Sequence, residues 1–198
     1  MLTRIARGLI RITRWHVYEV FPHAGTPEPE PAIAVTWRAG TATDIDSFTV
    51  SEHNYDPIRK QWARKALADG DRMLIAEADG AITHLAWTTH RQVTVAGVVL
   101  QLPRGTEYIY DARTPDPFRG KRLQNAEIRH LLKRADAEGI DRLLALVDDD
   151  VPTSIRNFER EGFVRIGTIT TYRFLRYFTY VAIPSALRLK IESPHSNA

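Results

Sequence analysis

The sequence predicts an α/β (α+β) fold built on one mixed, mostly antiparallel sheet. Three observations predict it. The first half alternates short β-like runs with tight-turn dipeptides, Asp79-Gly80 above all, as antiparallel hairpins do. The second half holds a strand–helix–strand unit in which "IDRLLALV" (140–147) is almost continuously apolar, as a buried parallel strand is. A chain of 198 residues, 43% hydrophobic and 26% charged, suits one globular domain with appendages.

The chain opens with Arg4, Arg7, Arg11 and Arg14 at helical spacing, while Leu2, Ile5, Leu9 and Ile12 share another face. This predicts an amphipathic helix, packed on its own domain or lying on an anionic membrane. "PHAGTPEPEP" (22–31) is a proline-rich, extended linker. A leader and linker over 1–31 and a main domain over 32–198 follow from it.

"IAVTW" (33–37) alternates as a strand, and Thr43 is placed to cap a helix with Asp44 and Asp46 in its first turn. A second helix is expected from Asp56-Pro57 to Gly70, with Ile58, Trp62 and Ala66 as its inner stripe. Two strands flank Asp79-Gly80, and "QVTVAGVVLQL" (92–102) reads as a hairpin turning at Ala96-Gly97. In the strand "TEYIYDA" (106–112), Tyr108 and Tyr110 share one face and Glu107 and Ile109 the other. Ile128, Leu131, Leu132 and Ala135 mark the buried face of a helix that Gly139 ends. A short helix over 152–161 closes at Gly162, and "FVRIGTITTYRFL" (163–175) returns as one or two strands. The tail, with Pro184 in its middle, reads as a final strand and helix covering the sheet.

Composition excludes some classes. A net charge of +3 is too small for the concentrated basic stripe of a nucleic-acid binder. Without cysteine there is no disulfide, zinc-thiolate site or thiol nucleophile, and no spacing points to a metal. No apolar run reaches the roughly 18 residues that span a bilayer, and arginines stand where a signal peptide needs its apolar stretch. The expected location is the cytoplasm, with peripheral contact at the inner membrane through the leader.

The chemistry concentrates in "PDPFRGKRLQ" (115–124), a turn running straight into a helix, with Arg119, Lys121 and Arg122 around Gly120. Free N–H groups at a helix start, the helix dipole and three cations make an anion site. The alternative is a plain basic helix start. It is neither a P-loop nor a dinucleotide-binding fingerprint. On the adjoining strand Tyr110 and Asp111 are candidate proton-transfer groups. His84 is a candidate on its neighbour, and His53 and Tyr55 lie in the polar bend "SEHNYD" (51–56).

The order of these segments resembles the GCN5-related N-acetyltransferases. "FRGKRLQ" (118–124) stands where that family has its pyrophosphate loop, and "VPTSIRNFEREGFVRIG" (151–167) is similar to its second-half motif. Pro152, Ser154, Glu159, Gly162, Phe163 and Gly167 fall in register, and "AGTATDIDSF" (39–48) is similar to its first helix entry. The resemblance covers about residues 33–175. It implies helices on both faces of the sheet and a splay between two central parallel strands, 106–112 and 140–147. It implies acetyl-coenzyme A or another acyl-coenzyme A as co-substrate, its pyrophosphate on the N–H groups of Arg119, Gly120, Lys121, Arg122, Leu123 and Gln124. Ala112, Arg113, Thr114 and Ser154 would hold the rest of it. Tyr110 and Asp111 are the expected catalytic pair; His53, Tyr55 and His84 would meet the acceptor. An N-acetyltransferase acting by direct attack of a small-molecule or peptide amine is the implied activity. An acyl carrier protein for a longer chain, or a non-catalytic acyl-coenzyme A-binding module, is the alternative. A homodimer is compatible with either. Four positions depart from the pattern: Arg122 and Gln124 replace glycines, Val151 replaces an asparagine, and Phe158 replaces the tyrosine that protonates the leaving thiolate.

Overall fold

The computed structural model describes residues 10–23, 25–28, 30–95, 98–174, 178–182 and 190–192. Its strands are β1 (Ile10–Val20), β2 (Thr36–Ala39), β3 (Arg72–Ala78), β4 (Ala81–Thr89), β5 (Gln92–Val95), β6 (Val98–Gln101), β7 (Thr106–Arg113), β8 (Arg142–Asp148), β9 (Val164–Phe174), β10 (Phe178–Ala182) and β11 (Lys190–Glu192). The helices are α1 (Ala42–Ser47), α2 (Val50–His53), α3 (Pro57–Ala68), α4 (Leu123–Glu138) and α5 (Pro152–Arg160). Eight strands form one sheet in the order β10-β9-β1-β8-β7-β4-β3-β2, and β11-β6-β5 form a second, small sheet. Every described pair is antiparallel except β7 with β8. Among the described residues no helix is long and apolar enough to cross a membrane.

Alternation along the strands divides the core. Ile109, Leu143, Ala145 and Val147 point to one face and pack with Ile128, Leu131, Leu132 and Ala135 of α4 and Phe158 of α5. Met73, Ile75, Leu85 and Trp87 point to the other, against Ile45, Phe48, Ala63 and Ala66. The β5–β6 hairpin continues that second layer, with Val93, Val95 and Leu100 packed on Val17 and Ile169. Helices therefore lie on both faces of a mixed, mostly antiparallel sheet. The turn expected at Ala96-Gly97 and the tail helix lie outside the described residues.

The leader departs from its helical expectation. Residues 1–9 lie outside the described residues, but Ile10–Val20 is a strand inside the main sheet, bonded to β8 on one side and β9 on the other. Threonine, tryptophan, valine and tyrosine in "ITRWHVYEV" favour a pleated surface. Val17 and Tyr18, 0% and 1% exposed, bury opposite faces. A helix could have buried one stripe; the strand buries both faces and satisfies its backbone on both edges. Tyr18 donates to Glu159 Oε1 at 2.9 Å. Its ring stacks on Phe158, with centroids 6.4 Å apart. The proline-rich stretch thus links β1 to β2 and does not set a leader apart, and Ala32 N–H bonds the Lys121 carbonyl at 2.8 Å.

Two local expectations are also corrected. Thr41, not Thr43, caps α1: its side chain accepts from Asp44 N–H while the Asp44 side chain accepts from the Thr41 backbone N–H, a capping box. Asp44 closes that box, accepting from Thr41 N–H at 2.7 Å. Hydrogen bonding from Arg38 is the main reason the Asp44 carboxyl sits at about 2. In α3 the buried residues are Ala63 and Ala66. Ile58 is 79% exposed and Trp62 42%. Small residues let the helix approach the sheet, while Trp62 lies along its side against Trp87 and Tyr110.

Phe158 packs edge-on against Phe163, with centroids 4.9 Å apart, and lies in the core under α5. Phe158→Ala should lower unfolding stability by about 3–5 kcal/mol, measured by urea denaturation; a change under about 1 kcal/mol would contradict a core role. Deleting residues 1–21 should abolish cooperative unfolding, because the facing edges of β8 and β9 lose their partner. A truncated protein with an unchanged melting transition would show that β1 is dispensable.

Candidate active-site cleft

The site grows from an interruption in β7. Parallel pairing with β8 runs from Thr106↔Arg142 to Ile109↔Ala145 and stops there, although both strands continue. At Asp111 the backbone turns left-handed, φ 49°. Pairing with β4 slips at the same point, from Trp87↔Tyr110 to Leu85↔Arg113, which is a β-bulge. Beyond it the two parallel strands splay. Asp111 is held by three donors: Tyr55 Oη at 2.9 Å, Arg59 Nη2 at 2.5 Å and Arg113 Nε at 2.8 Å. Burial, then the Asp111 charge, raises the Tyr55 phenol well above its ordinary value, so it stays a donor.

β7 then passes through a single 3-10 turn, Asp116–Phe118, into the basic loop and α4. Gly120 and Arg122 are both left-handed, at φ 75° and 58°. A Cβ on Gly120 would meet nothing within 4 Å, so the backbone angle, not crowding within the chain, is what calls for glycine there. Arg122 is the N-cap of α4 yet makes no side-chain cap bond. The first helical bond is Ala126 N–H to Arg122 C=O, leaving the N–H groups of Leu123, Gln124 and Asn125 without intrahelical acceptors. Arg119 N–H is already bonded to the Asp116 carbonyl, so the free donors begin one residue later than expected.

A cleft of about 650 Å³ opens over this helix start and reaches from α2 to α5. Ala112, Arg113, Thr114, Arg119, Gly120, Lys121, Arg122, Leu123, Gln124 and Ser154 all line it, as do His53 and His84. Its walls carry five cations, Arg113, Arg119, Lys121, Arg122 and Arg160, against Glu52 and Asp116. Such a surface favours an elongated anion lying along the β7 end with its most charged part on the helix N-terminus.

Tyr110, Asp111 and Tyr55 are not among the lining residues. Tyr110 Oη donates to Asp71 at 2.6 Å on the α3 side of the sheet, and its phenol is raised far above the usual range, first by burial and then by Asp71. Asp111 is occupied by the contacts above. Asn157 was missed, and it donates to Gln124 Oε1 at 2.7 Å, tying α5 to the helix start. Asn125 and Arg129 were missed too; both hold buried Glu161, at 3.0 and 2.7 Å. Their partners lie 32 to 36 residues away in the chain, beyond any local motif. Arg160 adds a cation to the rim from the end of α5. His53, 7% exposed, accepts the Thr49 N–H on Nδ1 at 3.2 Å and stacks on Phe48. Burial pushes its imidazole below the ordinary value, against the pull of Glu52.

No protein-family pattern matches this sequence, and no curated protein matches it. Solved structures do. A GCN5-related N-acetyltransferase from Sphaerobacter thermophilus superposes with a TM-score of 0.60 at 14% identity, over 88% of this chain and 56% of that one. One from Kribbella flavida gives 0.52 at 14%, over 96% and 66%. A ribosomal-protein-alanine N-acetyltransferase from Brucella melitensis gives 0.51 at 17%, over 71% and 99%. The chain thus spans between half and two thirds of the length of the first two and nearly all of the third. At such identity the likeness is one of fold: this chain has the GCN5-related N-acetyltransferase fold in divergent form.

Burial, the largest cause for each, lowers the pKa of both His53 and His130. The folded state therefore holds fewer protons than the unfolded state just below the unfolded histidine value near 6.5. Stability should fall as pH drops through that window, by at most about 1.4 kcal/mol per pH unit for each histidine. Comparing urea midpoints at pH 7.5 and 5.5, a His53→Gln variant should lose less than the parent; an equal loss would contradict the assignment.

Proposed function

We propose that this chain transfers an acyl group, most simply acetyl, from an acyl-coenzyme A thioester to an amine by direct attack. The observation that carries the reading is the continuity of one cleft from the splayed end of β7 to the uncapped N-terminus of α4. The basic end suits the pyrophosphate, with N–H groups of residues 120–125 as donors and Lys121 and Arg122 as added charge. Beyond Ile109 β7 is no longer paired with β8, and a strand N–H on that edge would polarise a thioester carbonyl. A covalent intermediate is not needed. Positioning and oxyanion stabilisation carry such a reaction, and the amine must arrive deprotonated.

A second donor is supported by the exposed cations on the rim. Lys121, Arg122 and Arg160 form no ion pair among the described residues, and they would suit an acidic acyl carrier protein presenting a longer chain. Thiol release from acetyl-coenzyme A, measured with glucosamine, free lysine and an alanyl peptide as acceptors, tests transfer itself. No release with any acceptor, although the donor binds, would favour a binding module.

Loop variants test the donor end. Gly120→Pro cannot take the left-handed angle and should weaken coenzyme A binding at least tenfold by calorimetry, whereas Lys121→Ala should cost only a few-fold. Arg122→Gly removes a left-handed arginine and should raise stability by no more than about 1 kcal/mol. If Arg122 clamps phosphate, the same variant weakens binding; tighter binding would mean the arginine obstructs it.

A further inference from the structure

Breaking a thioester by amine attack leaves a thiolate that must take up a proton, and the usual aromatic acid is absent here. Phe158 carries no exchangeable proton and is in the core. Among the described residues no tyrosine lines the cleft. Three side chains from three separate segments do form a hydrogen-bonded row into it. Thr114, just past β7, and His84 of β4 both line the cleft. Thr114 Oγ1 lies 2.7 Å from His84 Nδ1, and His84 Nε2 lies 2.9 Å from Oε2 of Glu127, on α4. Both side chains of the His84–Glu127 pair are 1% exposed. The second Glu127 oxygen, Oε1, has no hydrogen-bond partner among the described residues. A buried carboxylate with one partner is expensive unless that partner supplies compensating charge.

We propose that Glu127, His84 and Thr114 form a proton relay that delivers hydrogen to the sulfur of the departing thiol, a role that rests on the acyl-transfer reading above. In the net-neutral form of the pair, imidazolium faces carboxylate. Nε2–H then donates to Glu127 and Nδ1–H to Thr114, which turns the Thr114 O–H outward into the cleft. After one proton is lost the polarity reverses: Thr114 donates to Nδ1 and offers the cleft only lone pairs.

The step balances. The amine nitrogen bonds to the thioester carbon, and the carbon–sulfur bond breaks with its electron pair on sulfur. Sulfur takes the Thr114 hydroxyl proton, Thr114 Oγ1 takes the Nδ1 proton, and His84 is left neutral with Nε2–H still on Glu127. The neutral amine becomes cationic on bonding to carbon; the proton it then loses as the amide forms passes to solvent, from which His84 is recharged. Thr114 is the group that touches the substrate; His84 and Glu127 act through it.

Few other groups face His84. Trp37 of β2 lies edge-on with centroids 6.3 Å apart, and Ala76 is the register partner on β3. His130 of α4 stacks on Trp37, and burial lowers its pKa. Of the cations lining the cleft, Arg113 adjoins Thr114 in sequence and is already bonded to Asp111. Glu127 is the one carboxylate bonded to the row among the described residues.

The test compares the pH dependence of thiol release from acetyl-coenzyme A for the parent, Thr114→Val, Thr114→Ser and His84→Gln, using the fastest amine of the three named above. Donor affinity is measured in parallel by calorimetry. Thr114→Val should lower kcat about 100-fold or more near pH 7 and lose the alkaline fall in rate that the relay predicts for the parent, a loss in kcat much larger than any change in donor affinity. Thr114→Ser should stay within about fivefold of the parent. His84→Gln, if it folds, should match Thr114→Val; if it does not, the threonine pair decides. An unchanged kcat and pH profile in Thr114→Val overturns the relay while leaving acyl transfer intact, and so does a serine variant as slow as valine. Donor binding without thiol release from any amine also overturns it. Failure of the parent to bind the donor overturns the acyl-transfer reading and the relay together.

Discussion

Backbone pairing between β7 and β8 ends at Ile109↔Ala145 because the next turn of the chain is not strand-like: Asp111 sits at φ 49°. A left-handed residue other than glycine costs roughly 1–3 kcal/mol. The Asp111 carboxylate is gripped by Tyr55, Arg59 and Arg113, and charge-assisted bonds of this kind contribute about 1.5–3 kcal/mol each. The grip therefore offsets the strain. It also ties the bulge to α3 through Arg59, whose guanidinium stacks on the Tyr55 ring at 5.2 Å. Without the bulge the parallel pair would close along its length, and the cleft would lose its open strand edge.

Opening a sheet in its middle makes demands elsewhere. β8 must be secured on its far edge if its near edge is to be free beyond Ala145, and β1 does this from Trp15↔Asp148 to Val20↔Leu143. The same strand supplies Tyr18, which stacks on Phe158 and bonds Glu159, so α5 is pinned to the sheet beneath one wall of the cleft. Asn157 carries that anchorage across to Gln124 at the start of α4. Phe158 thus reads as a packing residue that holds a wall, and the polar work falls to groups on the cleft surface.

Local chemistry was the legible part of this sequence. Asp79-Gly80, both left-handed, closes its hairpin as such dipeptides do, and the basic loop with Gly120 forms the helix start its residues imply. Thr41-x-x-Asp44 is also legible as a capping box, although Thr43-x-x-Asp46 repeats the same pattern two residues on. What escaped depends on partners far along the chain. Arg11 and Arg14 keep helical spacing, but β8 and β9, more than a hundred residues later, decide that the segment is a strand. Tyr110 and Asp111 looked available from the sequence because Asp71 and Arg59, 39 and 52 residues away, could not be seen to occupy them. The row of Thr114, His84 and Glu127 spans three segments and leaves no motif at all.

The central claim is that the start of α4 holds the anionic end of a thioester donor. Amide hydrogen exchange across residues 115–130, with and without saturating coenzyme A, tests it most directly. Slowed exchange is expected at the amides of Gly120 to Asn125, which have no acceptor among the described residues, with little change at Arg119 or deeper in the helix. Coenzyme A that binds while those amides exchange at their free rate would contradict it.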